Sequence, residues 1–186
     1  MHIIYNKWPK IAKESYESKQ KIIEFKKINH IVFSGMGGSG TLGDIFSAIF
    51  SCTNIQIDVI KGYNLPKTVS KNTLVISTSV SGNTIETISV LKDAIKKNCK
   101  IISFSSGGKI INMCNKNKIE YRIIPKSINP RTSLVEYLYS MLKVLQPILP
   151  ITKKEVKDSI IELEKTMNNI SSKNLHSNNL SLKLAK

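Results

Sequence analysis

Five apolar runs, each followed by a turn or a helix-like stretch, constrain this chain more than any other feature. HIVFSG (30–35), NIQIDVI (54–60), TLVISTS (73–79), KIISFSS (100–106) and IEYRII (119–124) are short and rich in β-branched residues, as strands are. Helical patterns follow the first from Ser39 to about Phe50, the third from about Asn83 to Asn98, and the fourth from Gly107-Gly108 through Asn115. Gly62 to Asn72, with Pro66 inside it, reads as a loop. Strands that alternate with helices of this length form βαβ units, and their apolar character requires cover on both faces. The expected fold is therefore α/β, a doubly wound five-stranded parallel sheet of flavodoxin-like order 2-1-3-4-5 flanked by helices.

The flanks are helical as well. Residues 8–28 read as an N-terminal helix, with Trp8, Ile11, Ile22, Ile23 and Phe25 as docking residues. After PKSINP (125–130), a helix is expected from Arg131 to about Gln146, with Leu134, Leu138, Met141, Leu142 and Leu145 at core spacing; Pro147 and Pro150 stop it. Residues 152–170 form another amphipathic helix, with Val156, Ile160, Ile161 and Leu163 on its apolar face. The expected division is an N-terminal arm (1–29), a central α/β domain (30–150) and C-terminal helices with a linker (151–186).

Two loops carry the chemistry. Gly35-Met36-Gly37-Gly38-Ser39-Gly40 matches the dinucleotide fingerprint G-x-G-x-x-G letter for letter, between a strand and a helix. The third strand ends in STSVSGNTIET (77–87), where the hydroxyls of Ser77, Thr78, Ser79 and Ser81 lead into Gly82, Asn83 and Thr84 at a helix start. A helix N-terminus offers unpaired N–H groups and the positive end of its dipole, so this loop reads as an anion cradle. One cap needs one hydroxyl or amide, and this run has several. Glu86, in the first helical turn, is read as structural, since a carboxylate favours the dipole there.

In order 2-1-3-4-5 the first and third strands are neighbours, so both loops face one crevice. Two donor-rich loops without a carboxylate suit a phosphate monoester. A nicotinamide enzyme would want an acid at the end of the second strand, and Asp58 stands inside that strand instead.

Composition narrows the classes further. The formal charge is +15, from 28 Lys and Arg against 13 Asp and Glu, but Arg122 and Arg131 are the only arginines and the lysines are scattered along helix-like segments. Bidentate phosphate and base contacts favour Arg, so solvated lysine faces are the reading and no nucleic-acid partner is expected. Cys52, Cys99 and Cys114 are widely spaced, with no C-x-x-C pair and no His at ligand spacing; neither disulfide nor metal is expected. No apolar run approaches the ~18–20 residues of a membrane span, and the first ten residues lack the pattern of a signal peptide, so a cytoplasmic location without membrane partners is expected.

In their order and spacing, GMGGSGTLGD, STSVSGNTIET, FSSGG and NPRTSLVEYL resemble the sugar isomerase (SIS) domain. More narrowly, they resemble the N-terminal half of the bifunctional phosphoglucose/phosphomannose isomerases, over about Val32 to Leu142. The resemblance implies two such domains per chain, a homodimer in the full-length protein, a sugar-phosphate substrate, and no metal or nucleotide cofactor. It assigns Gly37, Gly38 and Ser39 to the sugar-phosphate pocket, Ser79, Ser81 and Thr84 to the phosphate, and Arg131 to charge developing on the intermediate. Arg131 sits at a helix N-terminus, which opposes the dipole, so a basic residue there needs another reason.

In that family the general base, a histidine and a lysine come from the second domain and the partner subunit. Here Glu86 and Glu136 read as helix-face residues and His176 lies in a polar tail. The expectation is half an active site that binds sugar phosphate and does not turn it over. The alternative is a non-catalytic sugar-phosphate-sensing module, which would keep Ser79, Ser81 and Thr84 and have no use for Arg131. A nicotinamide-dependent oxidoreductase is the third reading.

Overall fold

The computed structural model describes residues 2–125, 130–171 and 173–185; the side chains of residues 2, 3, 130 and 131 lie outside that description. Five parallel strands, β1 (His30–Ser34), β2 (Gln56–Ile60), β3 (Thr73–Ser79), β4 (Lys100–Ser105) and β5 (Glu120–Ile123), form one sheet in the order β2-β1-β3-β4-β5. This is the order expected from the sequence, with each strand within two residues of its expected ends. Two short helices, α1 (His2–Tyr5) and α2 (Trp8–Tyr16), precede the sheet. α3 (Gly38–Phe50), α4 (Ile85–Lys96) and α5 (Gly108–Asn117) follow β1, β3 and β4. A 3-10 turn (Pro130–Ser133) leads into α6 (Leu134–Val144), and α7 (Lys153–Ile170) and α8 (Leu180–Leu184) complete the chain.

The strand alternation divides the interior into two cores. One face of the sheet places Ile31, Phe33, Ile76, Ile102 and Phe104 against α3 and α6, with α2 and α7 packed outside them. The Phe33 and Phe46 rings stack there, with centroids 5.3 Å apart. The other face places Val32, Val75 and Ile101 against Leu91 and Ala94 of α4 and Ile110 and Cys114 of α5. β1 and β3 are buried along their whole length, as strands covered on both faces must be.

The N-terminal arm departs from expectation. The helix read over 8–28 ends at Tyr16, and residues 17–29 run as irregular chain. The Ile23 amide donates to the carbonyl of Val144 (2.9 Å), one of the last carbonyls of α6, and Ile23 is 1% exposed. A helical Ile23 would spend that amide within its own helix; leaving it free satisfies an orphan carbonyl of α6. Arg122 Nε donates to Lys21 O (2.8 Å), and Lys27 has φ +55°, which ends any helical run before β1. α7 opens on a capping box between Thr152 and Glu155, which the sequence reading did not single out. Ile161, read as part of its apolar face, is 52% exposed, while Val156 is buried.

Candidate functional site

The two loops singled out in the sequence leave the sheet side by side. Ser34, the last residue of β1, pairs with Ser77, and β3 continues two residues further to Ser79. α3 starts at Gly38 with Gly37 as its N-cap, at φ +54°, a conformation glycine adopts without penalty. Having no side chain, Gly37 leaves the first turn of α3 without a side-chain cap.

The second loop is held by its own hydroxyls. Ser79 Oγ and Thr84 Oγ1 are 2.9 Å apart, and the Gly82 amide donates to Ser79 Oγ (3.1 Å). The Asn83 amide donates to Ser81 Oγ (3.2 Å). Thr84 is the N-cap of α4, yet its hydroxyl lies against Ser79 and makes no cap. Ser81 therefore shapes the turn, Ser79 and Thr84 brace each other, and the first-turn amides of α4 remain without a side-chain acceptor. A helix start of this kind attracts an anion through both its N–H groups and its dipole.

The loop after β4 supports that arrangement. Gly82 has φ +68°, and a Cβ on it would overlap the carbonyl of Gly107. The Lys109 amide donates to Asn83 Oδ1 (3.1 Å) and the Ser106 amide to Val80 O (3.3 Å). FSSGG thus serves as a buttress for the hydroxyl loop.

Between the loops and the start of α6 lies a cavity of about 210 Å³. Gly38 and Ser39 from α3, Val80 from the hydroxyl loop, and Ser133, Leu134 and Tyr137 from the α6 start line it. The expected site residues Gly38 and Ser39 are brought to this wall, and Ser79 and Ser81 flank Val80. The backbone of Arg131 belongs to the 3-10 turn that delivers Ser133 to the cavity, and its side chain lies outside the described residues. Trp8 Nε1 donates to Thr132 O (3.3 Å), so the N-terminal arm holds that turn.

Sequence reasoning passed over Ser133 and Tyr137, taking the α6 start for a leucine-patterned core helix. Both are fully buried, and among the described residues neither hydroxyl has a partner. Their i, i+4 spacing, which sets them on one helix face next to NPRTS, was the available signal. Burial, with the Glu136 carboxylate adding to it, raises the Tyr137 phenol further above its ordinary value, so the group stays protonated and can donate. Glu136 points elsewhere: it lines a separate cavity of about 380 Å³ with Glu14 and Gln20, and burial raises its carboxyl above the ordinary range.

A family model, the SIS domain, matches residues 24–146, which include both loops, the buttress and the α6 start. This chain belongs to the SIS domain family. It is 34% identical over 164 residues to a bifunctional phosphoglucose/phosphomannose isomerase of Caldicellulosiruptor bescii, covering 86% of this chain and 47% of that one. A protein of the same name from Thermoplasma acidophilum is 41% identical over 110 residues, 59% of this chain and 33% of its own. Among solved structures, a hypothetical protein of Thermus thermophilus superposes with a TM-score of 0.67 at 16% identity, over 99% of this chain and 47% of that one, a likeness of fold. The SIS chain described here spans about half the length of such relatives, or less.

Among the described residues, no helix is long and apolar enough to cross a membrane, and no group of three or more His, Cys, Asp or Glu side chains is arranged to hold a metal ion.

Proposed function

We propose that this chain is the sugar-phosphate-binding domain of an aldose–ketose isomerase, one that interconverts glucose 6-phosphate or mannose 6-phosphate with fructose 6-phosphate. The observation that carries the reading is the uncapped start of α4, set behind the neutral hydroxyls of Ser79, Ser81 and Thr84 and beside the cavity that α3 shares. A dianionic phosphate at that helix start takes donors from the first-turn amides and the hydroxyls. Gly37, Gly38 and Ser39 then line the pocket for the sugar. The names and identities of the relatives support the choice of substrate class.

Aldose–ketose isomerisation moves a proton between adjacent carbons through an enediolate. Charge develops on a sugar oxygen, and a cation aimed at that position lowers the barrier. In this reading Arg131 is that cation, carried on the turn that Trp8 holds. The general base must reach the migrating proton within hydrogen-bond distance. Glu86 accepts from Tyr63 (3.3 Å) and Glu136 faces the separate cavity, so neither serves. The base comes from a second domain and a partner subunit of the assembled enzyme, and the homodimer is part of the proposal. So is the division into an arm (1–29), a SIS domain (30–150) and C-terminal helices (151–186).

The test is calorimetric titration of the purified 186-residue chain with glucose 6-phosphate, beside an assay for fructose 6-phosphate formation. Binding without turnover is expected. Turnover would show that the chain carries its own base, and an absence of binding would sink the sugar-phosphate reading.

A further inference from the structure

Seven buried side-chain polar atoms lack a partner among the described residues, and those of Ser133 and Tyr137 are the two whose residues line the cavity beside α3. Both are 0% exposed, both line the 210 Å³ cavity, and both hydroxyls lack a partner among the described residues. Leaving a buried hydroxyl unpaired forfeits about 1–3 kcal/mol, and here two such groups lie four residues apart, Ser133 at the N-cap of α6 and Tyr137 in its first turn. A phenylalanine at 137 and an alanine at 133 would fill nearly the same volumes without that loss.

The wall around them limits what can answer the hydroxyls. Its described residues carry no charge; they offer the hydroxyls of Ser39, Thr41, Ser133 and Tyr137 against the apolar faces of Leu42 and Leu134. A single water needs only ~10–15 Å³ of such space, so the cavity holds far more than one bridging water. A neutral, hydroxyl-rich wall with apolar patches fits a polyol: its O–H groups take the hydrogen bonds and its C–H faces lie on the leucines. Among the described residues it gives a carboxylate no counter-charge, and the one cation of this reading, Arg131, is assigned to the charge that develops on the sugar.

We propose that Ser133 and Tyr137 are specificity-determining residues, whose hydroxyls bind the sugar hydroxyls of the ligand whose phosphate rests on the Ser79–Thr84 loop. This rests on the sugar-phosphate reading of the crevice and deepens it. Phosphate recognition and sugar recognition are thereby divided between two elements, β3–α4 for the anion and α6 for the polyol. The protonated phenol of Tyr137 donates to a sugar oxygen, and Ser133 donates or accepts.

The experiment compares the wild-type chain, Tyr137→Phe and Ser133→Ala by calorimetric titration with glucose 6-phosphate and separately with inorganic phosphate, with a thermal melt of each unliganded protein. The expected result is a loss of about threefold to tenfold in glucose 6-phosphate affinity for each variant. Inorganic phosphate affinity stays within about twofold, and the unliganded melting temperature is equal or higher. Unchanged glucose 6-phosphate affinity in both variants, with wild-type binding intact, overturns this assignment alone and makes the hydroxyls internal features of the cavity. Parallel loss of both ligands also overturns it, since the residues would then act through the phosphate loop. Binding of neither ligand by the wild type overturns the sugar-phosphate reading itself and this inference with it.

Discussion

His30 Nε2 lies 2.8 Å from Asp58 Oδ2 on the neighbouring strand, while His30 Nδ1 lies 3.2 Å from Thr73 Oγ1 on the other side. The ring therefore bridges the Asp58 carboxylate and the Thr73 hydroxyl, one through each nitrogen. Thr73 Oγ1 in turn accepts from the Ser70 amide (2.9 Å), so the start of β3 is tied to β1 and β2 through one buried histidine. Asp58 pairs in register with Val32, two residues before the end of β1, and so stands away from the crevice. The acid that a dinucleotide site would need is engaged inside the sheet.

Replacing Asp58 with Ala should therefore lower stability and spare ligand binding. Removing the acceptor of a buried His30 is expected to cost about 1–3 kcal/mol in urea unfolding, with glucose 6-phosphate affinity unchanged. Lost affinity at wild-type stability would place Asp58 in the site after all.

Gly82→Ala tests the buttress. Its φ of +68° and the carbonyl of Gly107 both oppose a methyl group, so the Ser79–Thr84 loop must shift. Strain of this kind is worth about 1–3 kcal/mol, read as a lower melting temperature. Affinity for inorganic phosphate and for glucose 6-phosphate should fall together, because the shared anion cradle is what moves. Wild-type phosphate affinity in the variant would show that the loop's shape is not what binds.

The Glu136 carboxyl gives stability a pH dependence of definite sign. Burial raises its pKa on folding above the ordinary 4.5, so the folded state favours the protonated form. The resulting penalty is absent below the ordinary value. It sets in as pH rises through 4.5 and is complete above the raised folded value. Glu136→Gln should melt higher than wild type at pH 7, with the gap closing as pH falls towards 4. A gap that is constant with pH would assign the effect to packing.

How far these features could be read in advance depends on the kind of signal involved. The sheet order and strand ends were legible because buried parallel strands leave unbroken β-branched runs such as TLVISTS, and their crossover helices leave periodic ones. The hydroxyl run was legible as a helix start, and the residues beyond what capping needs brace the loop, Ser79 against Thr84 and Ser81 under the Asn83 amide. The arm was misread beyond Tyr16, since Ile22, Ile23 and Phe25 are as apolar in irregular chain as in a helix. The free Ile23 amide is used by Val144, 121 residues away, a contact no local pattern announces. Ser133 and Tyr137 were missed for a related reason: a buried hydroxyl without a partner is a property of packing, and in sequence it looks like one more core position.

In the proposed binding mode, phosphate rests on the α4 start with the sugar in the cavity beside α3. The most direct measurement follows backbone amide resonances of the ¹⁵N-labelled chain as glucose 6-phosphate is added. Saturable shifts are expected, concentrated at Ser81–Glu86 and Gly37–Ser39 and reproduced at the first segment by inorganic phosphate. Shifts confined to other elements, or shifts at Gly35–Gly40 produced by NADH and not by the sugar phosphate, would contradict it.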